Sequence, residues 1–134
     1  MKVHHIGGCQ CKRIRYLLDG EVIRLNVCHC QDCQLQSGSA FGMSLVIPHE
    51  GTFQLTSGQL KTFETVADSG RKKTCAFCGD CGVRIYNATS ALKSIKAGTL
   101  DDTAWLAPDA HYWTKNKQPW VGLPGDVPCY DDYQ

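Results

Sequence analysis

The chain has no run of 18 apolar residues, so no helix of membrane-spanning length is encoded. Its opening, MKVHHIGGCQCKRIRY, has neither an apolar stretch of secretory-signal length nor a small-residue cleavage site. A cytoplasmic, reducing location is therefore expected. Arg71-Lys72-Lys73 and Lys12-Arg13 are short basic runs without a continuous stripe, and the formal charge is only +1. That balance argues against a nucleic-acid partner. No segment keeps a 3.6-residue apolar period for three turns, which leaves little room for helix. No linker, repeat or low-complexity tract divides the sequence, so one domain spanning residues 1–134 is expected.

Short runs of β-type residues separated by turn residues fill the chain. Strands are predicted at Val3 to Ile6, Ile14 to Leu18, Val22 to Val27, Phe41 to Ile47, Phe53 to Thr56, Lys61 to Val66, Lys72 to Ala76, Val83 to Asn87, Ser94 to Gly98 and Ala110 to Trp113. Turns are expected at Asp19-Gly20, Glu50-Gly51, Ser57-Gly58 and Ser69-Gly70, where glycine admits positive φ. One short helix is predicted from Gln31 to Ser37. Beyond Trp113 an extended segment with an acidic end, Asp126 to Tyr133, is expected to lie over the body. The fold class is mainly β: short antiparallel strands with one short helix.

Against these absences stand nine cysteines in 134 residues. Eight fall into Cys9-Gln-Cys11, Cys28-His-Cys30-Gln-Asp-Cys33 and Cys75-Ala-Phe-Cys78-Gly-Asp-Cys81. Thiolates one or two residues apart can face a single ion about 2.3 Å away, as Zn²⁺ prefers. A disulfide framework is the competing reading. The odd count, the tight Cys9/Cys11 and Cys28/Cys30 spacings and the expected compartment all favour metal. Seven thiolates around two Zn²⁺ would turn the formal +1 into roughly −2, so the loaded chain would be mildly acidic.

Cys9, Cys11, Cys78 and Cys81 together complete a closed four-sulfur site of the structural kind, with Gly79 and Gly82 easing the turn around the metal. Cys28, Cys30 and Cys33 supply three sulfurs within six residues and leave a fourth corner open, the pattern of a catalytic zinc. Cys75 could close that corner and make both sites structural. His29 could be a ligand, although a residue between two chelating cysteines usually points away from the metal. An oxidised, metal-free site with Cys30 and Cys33 joined is a further possibility.

Grouped this way, the chain resembles the glutathione-dependent formaldehyde-activating enzyme family, the zinc-binding group that also includes centromere protein V. The matching blocks are Gly8-Cys9-Gln-Cys11 with Ile14-Arg15-Tyr16, Cys28-His29-Cys30-Gln-Asp-Cys33, Ser37-Gly38-Ser39-Ala40-Phe41, Phe77-Cys78-Gly-Asp-Cys81-Gly82, Ala97-Gly98-Thr99-Leu100-Asp101-Asp102, and Pro108-Asp-Ala-His111-Tyr-Trp113 with Trp120. The resemblance implies a single Mss4-like zinc-binding domain with two Zn²⁺ per chain. Cys9, Cys11, Cys78 and Cys81 would hold the structural ion, and Cys28, Cys30 and Cys33 the second, catalytic one. It implies a carbon-sulfur lyase or synthase that joins glutathione, or another small thiol, to an aldehyde such as formaldehyde, giving S-hydroxymethylglutathione in the named reaction. Small thiol and aldehyde would be the partners. The kinship with centromere protein V also allows a non-catalytic, zinc-stabilised interaction module. Lys12 stands where the family often has Gly, and Gln34 where it often has Arg or Lys.

The remaining residues carry two readings each. His111 could be a general base beside the second metal, or a hydrogen-bonded structural group, the favoured reading. Trp105, Trp113 and Trp120 are expected in the core rather than in a pocket. Ser37 and Ser39 could meet a substrate carboxylate, Asp101 and Asp102 belong to a turn, and Cys129 is a small buried or solvent-facing thiol.

Overall fold

The β-rich runs fold into ten strands among the described residues, 1–67 and 70–132, of the computed structural model. They are β1 (Lys2–Gly8), β2 (Arg15–Glu21), β3 (Arg24–Cys28), β4 (Gly42–Pro48), β5 (Phe53–Ser57), β6 (Leu60–Val66), β7 (Lys72–Cys78), β8 (Arg84–Ala88), β9 (Leu92–Lys96) and β10 (Ala110–Tyr112). The single α-helix, α1, spans Gln31–Ser37, as the sequence predicts. Each predicted strand is present, with displaced ends. Ala97 and Gly98 leave the ninth strand for a 3-10 turn, Ala97–Thr99, which Thr99 Oγ1 closes by donating to the Lys96 carbonyl at 2.7 Å.

The expected turn at Asp19-Gly20 is a correction. Gly20 lies inside β2 with φ 141°, paired with Val3, and the chain reverses after Glu21. Val3 and its neighbours extend the ladder past the glycine, so strand pairing overrides the local turn signal. Gly51 and Gly58 do sit at positive φ between strands. Of the turn expected at Ser69-Gly70, Gly70 has φ 82° and Ser69 lies outside the described residues.

Strands β1-β2-β5 form a three-stranded antiparallel sheet, and β10-β3-β4-β9-β8-β7-β6 a seven-stranded one. Within the larger sheet β10 pairs with β3 in parallel, and the other pairs of named strands are antiparallel. The sheets meet through alternating apolar side chains: Tyr16 and Leu18 from β2, Leu25, Leu45, Ile47, Ile85 and Ile95 from the larger sheet, all buried in one cluster. Phe53 bridges the layers, its ring 5.2 Å from both Tyr16 and Tyr86. Each such side chain contributes about 1.5–3 kcal/mol on burial.

Register divides the larger sheet into two faces of different chemistry. The core face is apolar. The other carries Asn26, Ser44 and Lys96 in one row, and Ser94, Asn87 and Cys75 in another. Helix α1 packs over the β4 end of this polar face. The segment after β10 returns alongside it, where His111 N donates to the Pro128 carbonyl and Tyr130 N to the His111 carbonyl, both at 2.9 Å. The extended closing segment is thus found through Asp132, with Tyr133 outside the described residues. No helix among the described residues is long and apolar enough to cross a membrane.

Candidate functional site

Two knuckles built alike bring four sulfurs together. In the first, Cys9 N donates to the Ile14 carbonyl (3.1 Å) and Lys12 N to the Cys9 carbonyl (3.2 Å). In the second, Cys78 N donates to the Val83 carbonyl (3.0 Å) and Gly82 N to the Cys78 carbonyl (2.9 Å). Each knuckle also aims a backbone N–H at a sulfur, Ile14 N at Cys9 Sγ (3.3 Å) and Asp80 N at Cys78 Sγ (3.4 Å). The left-handed residue after each pair is Gly82 at φ 82° and Lys12 at φ 71°. Gly82 is therefore the turn-easing glycine; Gly79 has no positive φ. Lys12 occupies a conformation that glycine reaches without cost.

All four Sγ atoms lie within 4.8 Å of one another. A tetrahedron with 2.3 Å bonds sets its sulfurs about 3.8 Å apart. Cys9 and Cys11 are 3.5 Å apart and Cys11 and Cys78 3.7 Å, so the cluster fits a tetrahedral ion. Backbone N–H groups of Val83 and Cys11 hold the Cys81 thiol down to about 6, easing ionisation.

The second cluster forms where β3 ends and α1 begins. Cys30 is the N-cap of the helix, and its sulfur accepts from Cys33 N at 3.4 Å, the place an Asp or Ser oxygen usually fills. Capping by a thiolate satisfies a free helix N–H and folds Cys28, Cys30 and Cys33 inward, all three Sγ atoms within 4.8 Å of one another. Hydrogen bonds from Cys28 and then Cys33 hold the Cys30 thiol down to about 2, while the bonds to Cys30 and Cys33 push Cys28 up. Of the three thiols Cys30 is the one that ionises most readily. Gly42 on β4 leaves room for this loop: a Cβ there would stand 3.3 Å from Cys33 Cβ and 3.6 Å from its Sγ. Both sets of donors, all-thiolate and closely spaced, fit Zn²⁺.

Cys75 belongs to neither group. It is buried in β7 between Phe63 on β6 and Asn87 on β8. No disulfide joins any of the nine cysteines. His29 also stands outside the clusters. Its ring is buried, stacked on His111 with centroids 5.3 Å apart, and its Nε2 lies 3.0 Å from His111 Nδ1. Burial lowers both imidazole pKa values, and the charge of His111 lowers His29 further. The pair ties the cysteine loop to β10, reinforced by His29 N donating to the Tyr112 carbonyl at 3.0 Å.

Gln34, in the place of a family cation, is a strap. Its Nε2 donates to the carbonyls of His29 (3.0 Å) and Asn116 (3.1 Å), and its Oε1 accepts from Gln118 Nε2 (3.2 Å). The positive charge near the cluster comes from elsewhere. Lys96 on β9 interacts with Cys33 and Cys28, and Lys73 on β7 with Cys30. No spacing rule ties these residues to the cysteines, so sequence reading missed them; strand pairing alone brings them close.

The aromatic expectation needs correcting. Trp120 is 75% exposed, and Trp113 sits half-buried at φ 56° beneath Lys115. Only Trp105 packs on the core, stacked on His5 at 4.5 Å with its Nε1 bonded to the Asp102 carbonyl at 2.9 Å. Trp120 instead donates its indole N–H to Gln118 Oε1 at 2.6 Å, and the Lys115 ammonium lies over the Trp113 ring at 4.7 Å, so both rings take polar partners at the surface. The Ser37 hydroxyl is engaged at the helix end, donating to the Gln34 carbonyl at 3.4 Å and accepting from Ser39 N at 3.2 Å. Asp101 pairs with both terminal nitrogens of Arg15, while Tyr16 and Thr99 hydroxyls meet at 2.6 Å, so two distant sequence blocks lock together. Cys129 is exposed. A cavity of about 550 Å³ is lined by His49, Arg71, Lys72, Tyr86 and Lys93 and by no cysteine.

No curated protein matches the sequence. A crystal structure of a Rhodobacter sphaeroides protein is similar in fold, with TM-score 0.58 and 14% identity over 92% of this chain and 98% of that one. Residues 4–116, which include both cysteine clusters, match the family model described as glutathione-dependent formaldehyde-activating enzyme. The chain belongs to the glutathione-dependent formaldehyde-activating enzyme family.

Proposed function

We propose that the chain is one zinc-binding domain that joins a small thiol to an aldehyde, and releases it in reverse, as a cytoplasmic carbon-sulfur lyase. One observation carries this reading: among the described residues, Cys28, Cys30 and Cys33 form a group of three with no fourth histidine, cysteine or carboxylate, whereas the other cluster has four. A site closed by Cys75 would suit the non-catalytic interaction module. That thiol stands instead in the β7 ladder, outside the group.

In this reading Cys9, Cys11, Cys78 and Cys81 hold a structural Zn²⁺, and Cys28, Cys30 and Cys33 a second one. Zinc bound by three thiolates supplies Lewis acidity to whatever occupies its fourth position, lowering the pKa of a thiol there. The chain's own residues do the positioning. The Cys30 cap and the His29–His111 pair fix the loop, and the helix sets the spacing of Cys30 and Cys33. In the overall reaction the thiol sulfur forms a bond to the aldehyde carbon, the carbonyl π pair moves to oxygen, and the thiol proton ends there. Holding both reactants in one place supplies much of the acceleration.

Zinc stoichiometry combined with turnover across a panel of thiols and aldehydes tests the assignment. Two zincs per chain and thiol-dependent aldehyde consumption are expected. A second zinc coordinated by Cys75 would overturn it.

A further inference from the structure

Register carries the core face of the seven-stranded sheet out into a polar cavity. Thr74, Ala88, Lys93 and Ile47 lie opposite one another across β7, β8, β9 and β4, so they share one face. Ile47 belongs to the core cluster, whereas Thr74, Ala88 and Lys93 line the cavity of about 550 Å³. Asn87, between Tyr86 and Ala88 in β8, points the other way and donates to Gln36 Oε1 of α1 at 3.0 Å. The cavity and the helix that carries Cys33 therefore lie on opposite faces of the sheet.

The walls of the cavity are basic. Lys72, two residues before Thr74 in β7, stands with Arg71 on one side, and Lys93 of β9 on the other. His49 N donates to the Ala91 carbonyl at 3.1 Å, which seats this residue beside the β8–β9 turn. Thr89 and Ser90 of that turn add hydroxyls to the lining. Among the described residues no Asp or Glu lines the cavity. Glu64, 3.2 Å from Lys72 Nζ, and Glu50, 3.6 Å from His49 Nε2, are exposed and stand outside it. Lys93 is half-buried and, among the described residues, is not ion-paired with a carboxylate. Its ammonium lies over the rings of Phe53 at 5.4 Å and Tyr86 at 5.2 Å, which hold the charge in place without neutralising it.

Thr74 and Lys93 are two strand spacings apart, about 9–10 Å. Cations that enter from both sides of a floor this wide match two linked phosphates better than one, and the volume falls in the range of small-molecule sites. We propose that this cavity binds the diphosphate group of a small molecule, with Lys93, Lys72 and Arg71 as its charged partners and the Thr89 and Ser90 hydroxyls as neutral ones. Ala88, with its short side chain between Thr74 and Lys93, leaves the room on the floor. Three neighbouring strands carry the lining, so the arrangement is set before the ligand arrives. The site is separate from both cysteine clusters and does not rest on the thiol and aldehyde reading.

Calorimetry on the zinc-loaded protein with inorganic pyrophosphate, orthophosphate and ADP, at low salt and with zinc content measured before and after, tests the site. Pyrophosphate is expected to bind once per chain, at least about tenfold tighter than orthophosphate. Lys93→Met is expected to weaken it at least about fivefold, and Lys72→Gln provides the same reading should Lys93→Met not fold. Lys2→Met, on a strand that does not line the cavity, is expected to stay within about twofold of the parent. ADP binding tighter than pyrophosphate supports a site for a nucleoside diphosphate, and ADP binding equally or more weakly supports one for the free diphosphate. No binding of pyrophosphate, or orthophosphate binding equally well, overturns the proposal. Equal pyrophosphate affinity in the parent and the cavity variants also overturns it, and zinc released in all of them would show that the anion acts on the metal instead.

Discussion

His29 Nε2 and His111 Nδ1 lie 3.0 Å apart inside the protein, one from the loop that carries the three-cysteine cluster and one from the strand beside it. Each imidazole has an ordinary pKa near 6.5 and is held below it in the fold by burial. The unfolded chain therefore takes up protons at these sites where the folded chain does not. Stability from the pair is complete above about pH 6.5 and is lost as pH falls from there toward the folded-state values. The unfolding midpoint should drop between pH 7 and 5. In His111→Leu the drop should be smaller, and the midpoint at pH 7.5 lower by the equivalent of about 1–3 kcal/mol, because His29 loses its partner.

The two clusters should respond differently to loss of one sulfur. Cys30→Ser should yield a folded protein with one zinc rather than two and no turnover. Cys78→Ser should cost several kcal/mol, because the four-sulfur cluster ties the first hairpin to a knuckle far along the chain. Zinc analysis with thermal unfolding separates the two, and a Cys30→Ser chain that fails to fold would sink this division of roles.

Lys12 and Gly82 hold equivalent left-handed positions in the two knuckles. Lys12→Gly should raise stability by up to about 1 kcal/mol, since it relieves a side chain from that region. Gly82→Ala should lower it by about 1 kcal/mol or more. Denaturant titration of both variants checks the pair; a destabilised Lys12→Gly would contradict the argument.

Two glycines are sterically constrained, to different degrees. A Cβ on Gly8 would overlap the Ile14 carbonyl oxygen, so Gly8→Ala should destabilise the first knuckle by about 2 kcal/mol or more. At Gly42 the new Cβ would press on Cys33 at 3.3 Å, a displacement of a few tenths of an ångström. Gly42→Ala should keep the four-sulfur zinc and weaken the second one, measurable by competition with a chelator.

The amino-acid order by itself determined the cysteine clusters, the helix Gln31–Ser37 and the ten β runs. Chelate spacing, capping and residue alternation act over a few neighbours, so they are written locally. The same local rules misplaced a turn at Gly20, which the β1–β2 ladder absorbs, and put Trp113 and Trp120 in a core they do not reach. What the tertiary structure decided depends on register between strands far apart in the chain. Register sets Cys75 in the β7 ladder outside the three-sulfur group, closes His29 on His111 and Arg15 on Asp101, and brings Lys96 to Ser44 beside Gly42 and Cys33. A pairing register carries no mark in the spacing of either partner, because it is fixed by the summed burial of both strands.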